Sequence, residues 1–337
     1  GYFDCIVLDE SSILKSFDSS TRKILTDNFK HTPYKLACTA TPAPNDFMEL
    51  GNHAEFLNVI SRTEMLSMFF VHDGGDTSKW RLKGHAKDKF WEWMASWAAI
   101  LSKPSDLGYS DEGFILPELR THEIVTPSEA PDGMLFAFEA QTLEDRRLGR
   151  QSSFKGRVAR CADIVNKSDE NFLVWCGLNI ESEALRKSIP GCVEVKGSDT
   201  PEYKEKSLLD FASGKTRVMV SKCSIAGFGM NFQICHNMVF VGLSDSFEEY
   251  FQAVRRCWRF GQKHPVDVYV ITSEAEGAVV KNIKRKEREA MVMITSMVEH
   301  TKSFVMDNLK KAVKLDRTYA PDKSINIPAW LKSEKGE

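Results

Sequence analysis

The sequence predicts an α/β protein organised as two units, each built on a parallel sheet. Three observations carry this expectation. Short apolar runs alternate with helix-like segments in residues 1–60 and again in 151–275, the pattern of strands joined by helical crossovers. Those runs are apolar throughout, as expected of strands covered on both faces. The chain has 337 residues, 42% hydrophobic and 27% charged, enough to bury two cores.

Phe3–Leu8 reads as a buried parallel strand lying so close to the first residue that the sequence is expected to begin inside a domain. Tyr34–Thr39 reads as a second strand and Asn45–Leu57 as a helix. Between 61 and 150 the pattern loosens. Met65–Phe70 and Phe90–Leu101 have helical amphipathicity, Asp73-Gly74-Gly75-Asp76 supplies turn residues between them, and Pro104, Gly108, Gly113 and Pro117 punctuate a loop, so this stretch is expected to be a helical insertion or connection. Strands follow at Asn171–Cys176, Val193–Val195, Arg217–Val220, Met238–Val241 and Val266–Thr272. Helices are expected at Ser153–Asn166, Ile180–Ser188, Pro201–Ser213 and Phe247–Arg259; Thr200-Pro201 is an N-cap followed by proline at the first helical position. A long polar helix spans Glu276–Lys314, and a Pro- and Lys-rich tail follows Asp316. The expected division is therefore 1–60, 61–150, 151–275 and 276–337.

Composition narrows the function. Forty-five basic and 47 acidic residues give a net charge of −2, which excludes a globally basic coat for nucleic acid but not a local groove. Residues 251–290 hold nine Lys/Arg against five Asp/Glu, including Lys281, Lys284, Arg285, Lys286 and Arg288, a candidate phosphate-contacting strip. The longest apolar stretch, Trp93–Leu101, is too short to span a bilayer. The eight cysteines form no C-x-x-C pair and mostly sit in apolar runs, as buried free thiols in a reducing compartment do. With no signal-peptide pattern at the start, a cytoplasmic location is expected, and the absence of long low-complexity arms fits a bacterial or viral source. The histidines show no H-x-x-x-H pair, and no serine nucleophile elbow occurs.

Four segments are able to carry chemistry. Asp9-Glu10 ends an apolar strand, which places two carboxylates at the carboxyl edge of a sheet, where a hydrated Mg²⁺ can be held and a water polarised. Thr39-Ala40-Thr41-Pro42 ends the next strand with small hydroxyl residues able to relay hydrogen bonds. Gly227-Phe228-Gly229-Met230-Asn231 offers two glycines that let backbone N–H groups approach a phosphate. On a helix over Phe247–Arg259, Gln252, Arg256 and Arg259 share one face, a clamp for polyphosphate, with Arg255 and Trp258 pointing elsewhere. By contrast, Ser213-Gly214-Lys215-Thr216 only imitates a phosphate loop. Leu209 stands where the motif needs glycine, and the segment runs from helix to strand.

The order and spacing of these segments resemble the Swi/Snf-type branch of superfamily 2 helicases. The Gln-Ala-x-x-Arg-x-x-Arg-x-Gly-Gln run at 252–262 is the most specific part, and Thr41-Pro42-Ala43-Pro44-Asn45-Asp46 with Glu49-Leu50 and Phe56-Leu57 looks like that family's third motif and its continuation. The resemblance implies two RecA-like lobes, the first incomplete, and ATP hydrolysis with Mg²⁺ on DNA, double-stranded rather than single-stranded. It implies that Asp9 holds Mg²⁺ through water, that Glu10 activates the attacking water, and that Thr39 and Thr41 couple nucleotide to lobe movement. Gly227, Gly229, Asn231 and Gln252 then sense the nucleotide, Arg256 and Arg259 reach its phosphates, and Gly197, Ser198 and Lys222 contact DNA. Ser11-Ser12 stands where the family has Ala-His, and Trp258 where it often has His. No G-x-x-x-x-G-K-[ST] occurs in these residues. The expectation is the C-terminal portion of an ATP-dependent helicase or translocase, unable to hydrolyse ATP by itself and lacking an N-terminal P-loop segment or partner chain. The alternatives are a catalytically inactive nucleic-acid-binding module and one half of a split ATPase.

Overall fold

A computed structural model describes residues 3–73, 76–127, 149–227 and 229–312. The first unit opens with β1 (Cys5–Leu8), α1 (Ser20–Asn28) and β2 (Tyr34–Ala37). The two strands pair in parallel, from Cys5 opposite Tyr34 to Leu8 opposite Ala37. They are not buried as the sequence suggests. Val7 is 57% exposed and Leu36 52%, and the thiols of Cys5 and Cys38, expected in the interior, are exposed. A parallel sheet is normally covered on both faces, and this one has only two strands among the described residues.

Helices α2 (Leu50–Phe56) and α3 (Arg62–Phe69) follow, then a hairpin of β3 (Phe70–Asp73) and β4 (Asp76–Leu82), and α4 (Lys87–Ala95). The helix expected over Met65–Phe70 begins earlier, because Ser61 and Glu64 form a capping box, and it gives way to β3 at Phe70. The hairpin was not anticipated. Gly74 and Gly75 of its proposed turn lie outside the described residues. Met65, Phe69, Phe70, Phe90 and Met94 form the core here, with edge-on aromatic contacts such as Phe69–Phe90, 5.3 Å between ring centres.

The second unit is a six-stranded sheet. Its strands are β5 (Leu119–Thr126), β6 (Phe172–Cys176), β7 (Val193–Val195), β8 (Val218–Ser221), β9 (Asn237–Val241) and β10 (Val266–Ser273). The order is β5-β10-β9-β6-β8-β7 and every pairing is parallel. Five of these strands lie within one residue of their expected ends, and β7 matches at both ends. Strand β5 falls within the stretch read as a connection. It is an edge strand with an exposed, charged sequence, so no apolar period announces it. The crossover helices are α5 (Phe154–Asn166), α6 (Asn179–Ser188), α7 (Pro201–Ala212), the short α8 (Cys223–Ala226) and α9 (Phe247–Val254). Thr200 caps α7 by accepting from the Tyr203 N–H at 3.3 Å. That helix leads through Gly214, at φ +79°, into β8, opposite to a phosphate loop's strand-to-helix direction.

Alternate residues of β6 feed opposite cores. Leu173 and Trp175 pack with Met219, Met238, Phe240 and Val268, whereas Val174 faces Val220, Val239, Cys161 and Leu185. A buried charge set joins three segments at the sheet's carboxyl edge. Arg157 is fully buried and pairs with Glu181 and, at 2.8 Å, with Glu276. Glu181 in turn accepts from the Gly177 and Leu178 N–H groups, and Glu276 from Ser273.

The last described element, α10 (Gly277–Ala312), has 36 residues and is about 54 Å long at 1.5 Å per residue. Val279 and Ile283 belong to the second unit's core, whereas Met293 and Met297 are buried among Phe90, Met94 and their neighbours. One helix therefore crosses from one core into the other. Among the described residues no helix is long and apolar enough to cross a membrane.

Candidate functional site

The carboxyl end of β1 turns abruptly at Glu10, whose backbone lies in the left-handed region at φ 50°, ψ 49°. A side chain rarely adopts this conformation without support from its surroundings. The Glu10 N–H donates to Asp9 Oδ1 at 3.0 Å, and the Ser11 N–H donates to the Cys38 carbonyl at 2.8 Å, tying the end of β1 to the end of β2. Both acidic residues are exposed. Beyond β2, Thr39 is half-buried and its hydroxyl accepts from the Thr41 N–H at 3.1 Å. Thr41 is 4% exposed, and its own hydroxyl has no partner among the described residues.

From the second unit, α9 carries Gln252 toward this edge. The helix ends at Val254 rather than at Arg259, and the chain continues in tight turns, with the Arg256 N–H bonded to Ala253 O and the Trp258 N–H to Val254 O. The predicted face nonetheless survives. Arg256 donates to Gln252 O (3.0 Å), Gln252 Oε1 (2.9 Å) and Met230 O (3.0 Å), so it binds the helix end to the glycine loop. Burial, followed by the neighbouring Arg259 charge, lowers the pKa of Arg256. Gln252 Nε2 stands 3.5 Å from Glu10 Oε2 across 242 residues of sequence.

Between these edges lies a cavity of about 700 Å³. It gathers Glu10 and Thr39 from the first unit and Gly229, Gln252, Arg256 and Arg259 from the second. The Arg259 carbonyl accepts from the Gln262 N–H at 3.0 Å, whereas its guanidinium makes no hydrogen bond or ion pair among the described residues and is available to a ligand at the cavity wall. Arg255, expected to point elsewhere, lines the same cavity; its guanidinium stacks 5.0 Å from the Phe251 ring and 4.5 Å from Trp258. Aromatic residues four before and three after an arginine on a helix were the signal for that stack. Trp258 itself donates to the Pro117 carbonyl at 2.7 Å.

Other expected residues lie apart from the cavity lining. Thr41 sits behind Thr39, and exposed Asn231 accepts from the Gln233 N–H. Gly227 closes α8, Phe228 is outside the described residues, and Gly229 takes φ +74°. Gly197 and Ser198 are exposed in the β7–α7 loop. Lys222 lines a separate cavity of about 260 Å³ with Arg150, Trp175 and Tyr250. The basic strip on α10 is not one face. Lys286 is buried and donates to Asn45 Oδ1 (2.9 Å) and Asp245 O (2.8 Å), Lys284 pairs with Glu123, and Arg285 with Glu289. Together with the Lys15–Glu248 ion pair, Lys286 fastens the two units to each other.

The donor set suits a magnesium triphosphate in part. Mg²⁺ keeps most of its waters and takes one or two carboxylates plus phosphate oxygens, which Asp9 and Glu10 can offer. Among the described residues no cluster of three His, Cys, Asp or Glu exists to hold a dehydrated metal. Three guanidiniums share with Glu10 the lining of a space large enough for a nucleotide, while Asp9 lies outside that lining.

Residues 156–261 match the family model described as the helicase conserved C-terminal domain. Over 166 residues the chain is 26% identical to the bifunctional helicase and thymine dioxygenase JBP2 of Leishmania braziliensis. That alignment covers 46% of this chain and 15% of the relative. The two findings support a superfamily 2 helicase, and the six-stranded all-parallel sheet is of the RecA-like kind.

Proposed function

We propose that this chain is the C-terminal portion of an ATP-dependent, Swi/Snf-type motor on DNA, in which nucleotide bound between the lobes draws them together. The observation that carries this reading is the single cavity that brings Glu10 and the Arg255–Arg256–Arg259 stretch to face each other from opposite units. Phosphoryl transfer needs positive charge placed where charge develops on the γ-phosphate. Arg259, unpaired and on the far lobe, meets that need only when the lobes are close, which ties hydrolysis to movement. Mg²⁺ would neutralise the β- and γ-phosphate oxygens. Asp9 would take its hydration shell, Glu10 would accept a proton from the attacking water, and Gln252 would hold Glu10 in register with Arg256.

Thr39, in the cavity lining, and Thr41, whose N–H donates to the Thr39 hydroxyl, would pass changes at the phosphates to the segment that follows β2. The phosphate cradle would come from a P-loop segment on this chain or another, since these residues contain none. DNA would lie along the carboxyl edge of the six-stranded sheet, on Gly197, Ser198 and Lys222. The eight free cysteines suit a reducing cytoplasm, in a bacterial or viral setting.

The test joins this chain to a first-lobe segment carrying G-x-x-x-x-G-K-[ST] and measures ATP turnover with and without duplex DNA. Turnover stimulated by DNA and abolished by Glu10→Gln is expected. Tight DNA binding with no turnover in the completed protein would overturn the proposal in favour of a binding module.

A further inference from the structure

The acidic pair is held by an imidazole that the acidic segment itself does not supply. Ser11 is fully buried, and its Oγ lies 3.3 Å from Nε2 of His53, which α2 delivers and which is 4% exposed. The other ring nitrogen, Nδ1, lies 3.5 Å from the Glu49 carbonyl one turn earlier. Burial lowers the His53 pKa, so the neutral ring is favoured. A neutral ring with its proton on Nδ1 donates to that carbonyl and accepts the Ser11 hydroxyl at Nε2.

The neighbouring residue of α2 reinforces the hold. Asn52, 1% exposed, donates through Nδ2 to the carbonyls of Leu14 and Lys15, both at 2.9 Å. The turn that follows Glu10 is therefore fixed by two adjacent side chains of one buried helix. Glu10 has a left-handed backbone, a conformation that relaxes unless its surroundings over-determine it. Ser11 is the next residue, anchored by its N–H to Cys38 and by its hydroxyl to His53.

We propose that His53 is a positioning residue for the acidic pair: by anchoring the Ser11 hydroxyl it keeps Glu10 in its left-handed conformation, with the carboxylate aimed across the cleft at Gln252. The catalytic consequence rests on the helicase reading above; the conformational claim does not. His53 does not line the cavity that contains Glu10 and acts through Ser11.

The test is made first on this protein. Glutamate-selective ¹³C labelling reports the Glu10 backbone conformation through its Cα and carbonyl shifts. Glu10 is expected to leave the left-handed range in His53→Phe, which keeps bulk but loses the acceptor, and in Ser11→Ala, which removes the same hydrogen bond from the other side. His53→Gln, which restores an acceptor, is expected to return it. Because Ser11→Ala is a small change at a buried site, it keeps the test open if the His53 variants fold poorly. Unmoved Glu10 signals in Ser11→Ala overturn the proposal. In the protein completed with a P-loop segment, His53→Phe should lower kcat at least tenfold with KM for ATP unchanged, and His53→Gln should recover most of it. Moved signals with unchanged turnover would leave the positioning role standing and count against the motor reading instead.

Discussion

Strand β1 of the two-stranded sheet and the inner strands β6, β8 and β9 of the six-stranded sheet are alike short, mostly apolar runs, yet their surroundings differ completely. Every residue of β6, β8 and β9 is buried. In β1 and β2 exposed and half-buried residues alternate. An apolar run makes a strand by local preference, but its burial depends on neighbours far away in sequence. The second unit supplies them, with helices on both faces and strands on both sides. The β1–β2 sheet is held instead by α2 and the turn after β1, and its function-bearing edge depends on specific polar contacts more than on a core. The larger sheet is thus a rigid platform, and the smaller one is a site kept in shape by hydrogen bonds.

This contrast can be broken at several points. The largest effect is expected at Arg157. Arg157→Met leaves Glu181 buried without its cation and Glu276 with only the longer Arg150 contact at 3.6 Å, and urea denaturation should show a loss of about 3–5 kcal/mol. A loss under 1 kcal/mol would mean that the platform does not depend on its charged keystone. Next comes a matched pair of leucines. Leu173→Ala on β6, at a fully buried position, should cost about 2–5 kcal/mol.

Glu49 adds a pH dependence. Burial pushes its carboxyl up to about 7, although Asn45 donates to it from both backbone and side chain. Its ordinary value is 4.5. The folded protein therefore holds this proton more tightly than the unfolded chain. The stabilisation is fully present below about 4.5 and is lost as pH rises through about 7, by up to about 3 kcal/mol. Thermal melts between pH 5 and 8 should show that decline, and Glu49→Gln should flatten it. The smallest effect belongs to the other leucine. Leu36→Ala on β2, half in solvent, should cost less than about 1 kcal/mol. Equal losses at Leu36 and Leu173 would erase the distinction between platform and site.

The strands of the larger sheet were legible because buried parallel strands are continuous apolar runs, and the α9 stripe because charged residues at helical spacing share a face even where the helix loosens into turns. Burial of β1 was not legible, since a strand's sequence does not say how many strands lie beside it. Strand β5 was hidden by its edge position: His122 bonds Asp267 at 2.7 Å and stacks on Tyr269, contacts that belong to pairing rather than to any period. The His53–Ser11 contact joins residues 42 apart and leaves no local trace. Arg255 was misplaced because an ideal helix turns it away from Arg256, whereas its stack between Phe251 and Trp258 brings it to the cavity.

The central claim is that Glu10 and Arg259 act on one triphosphate, and mild variants test it most directly. DNA-stimulated ATP turnover of the P-loop-completed protein would be measured for Glu10→Asp and Arg259→Lys, singly and together. Groups that serve the same transition state are strongly non-additive, so the double variant should be little slower than the slower single one. Losses that multiply would show two independent sites and contradict the account.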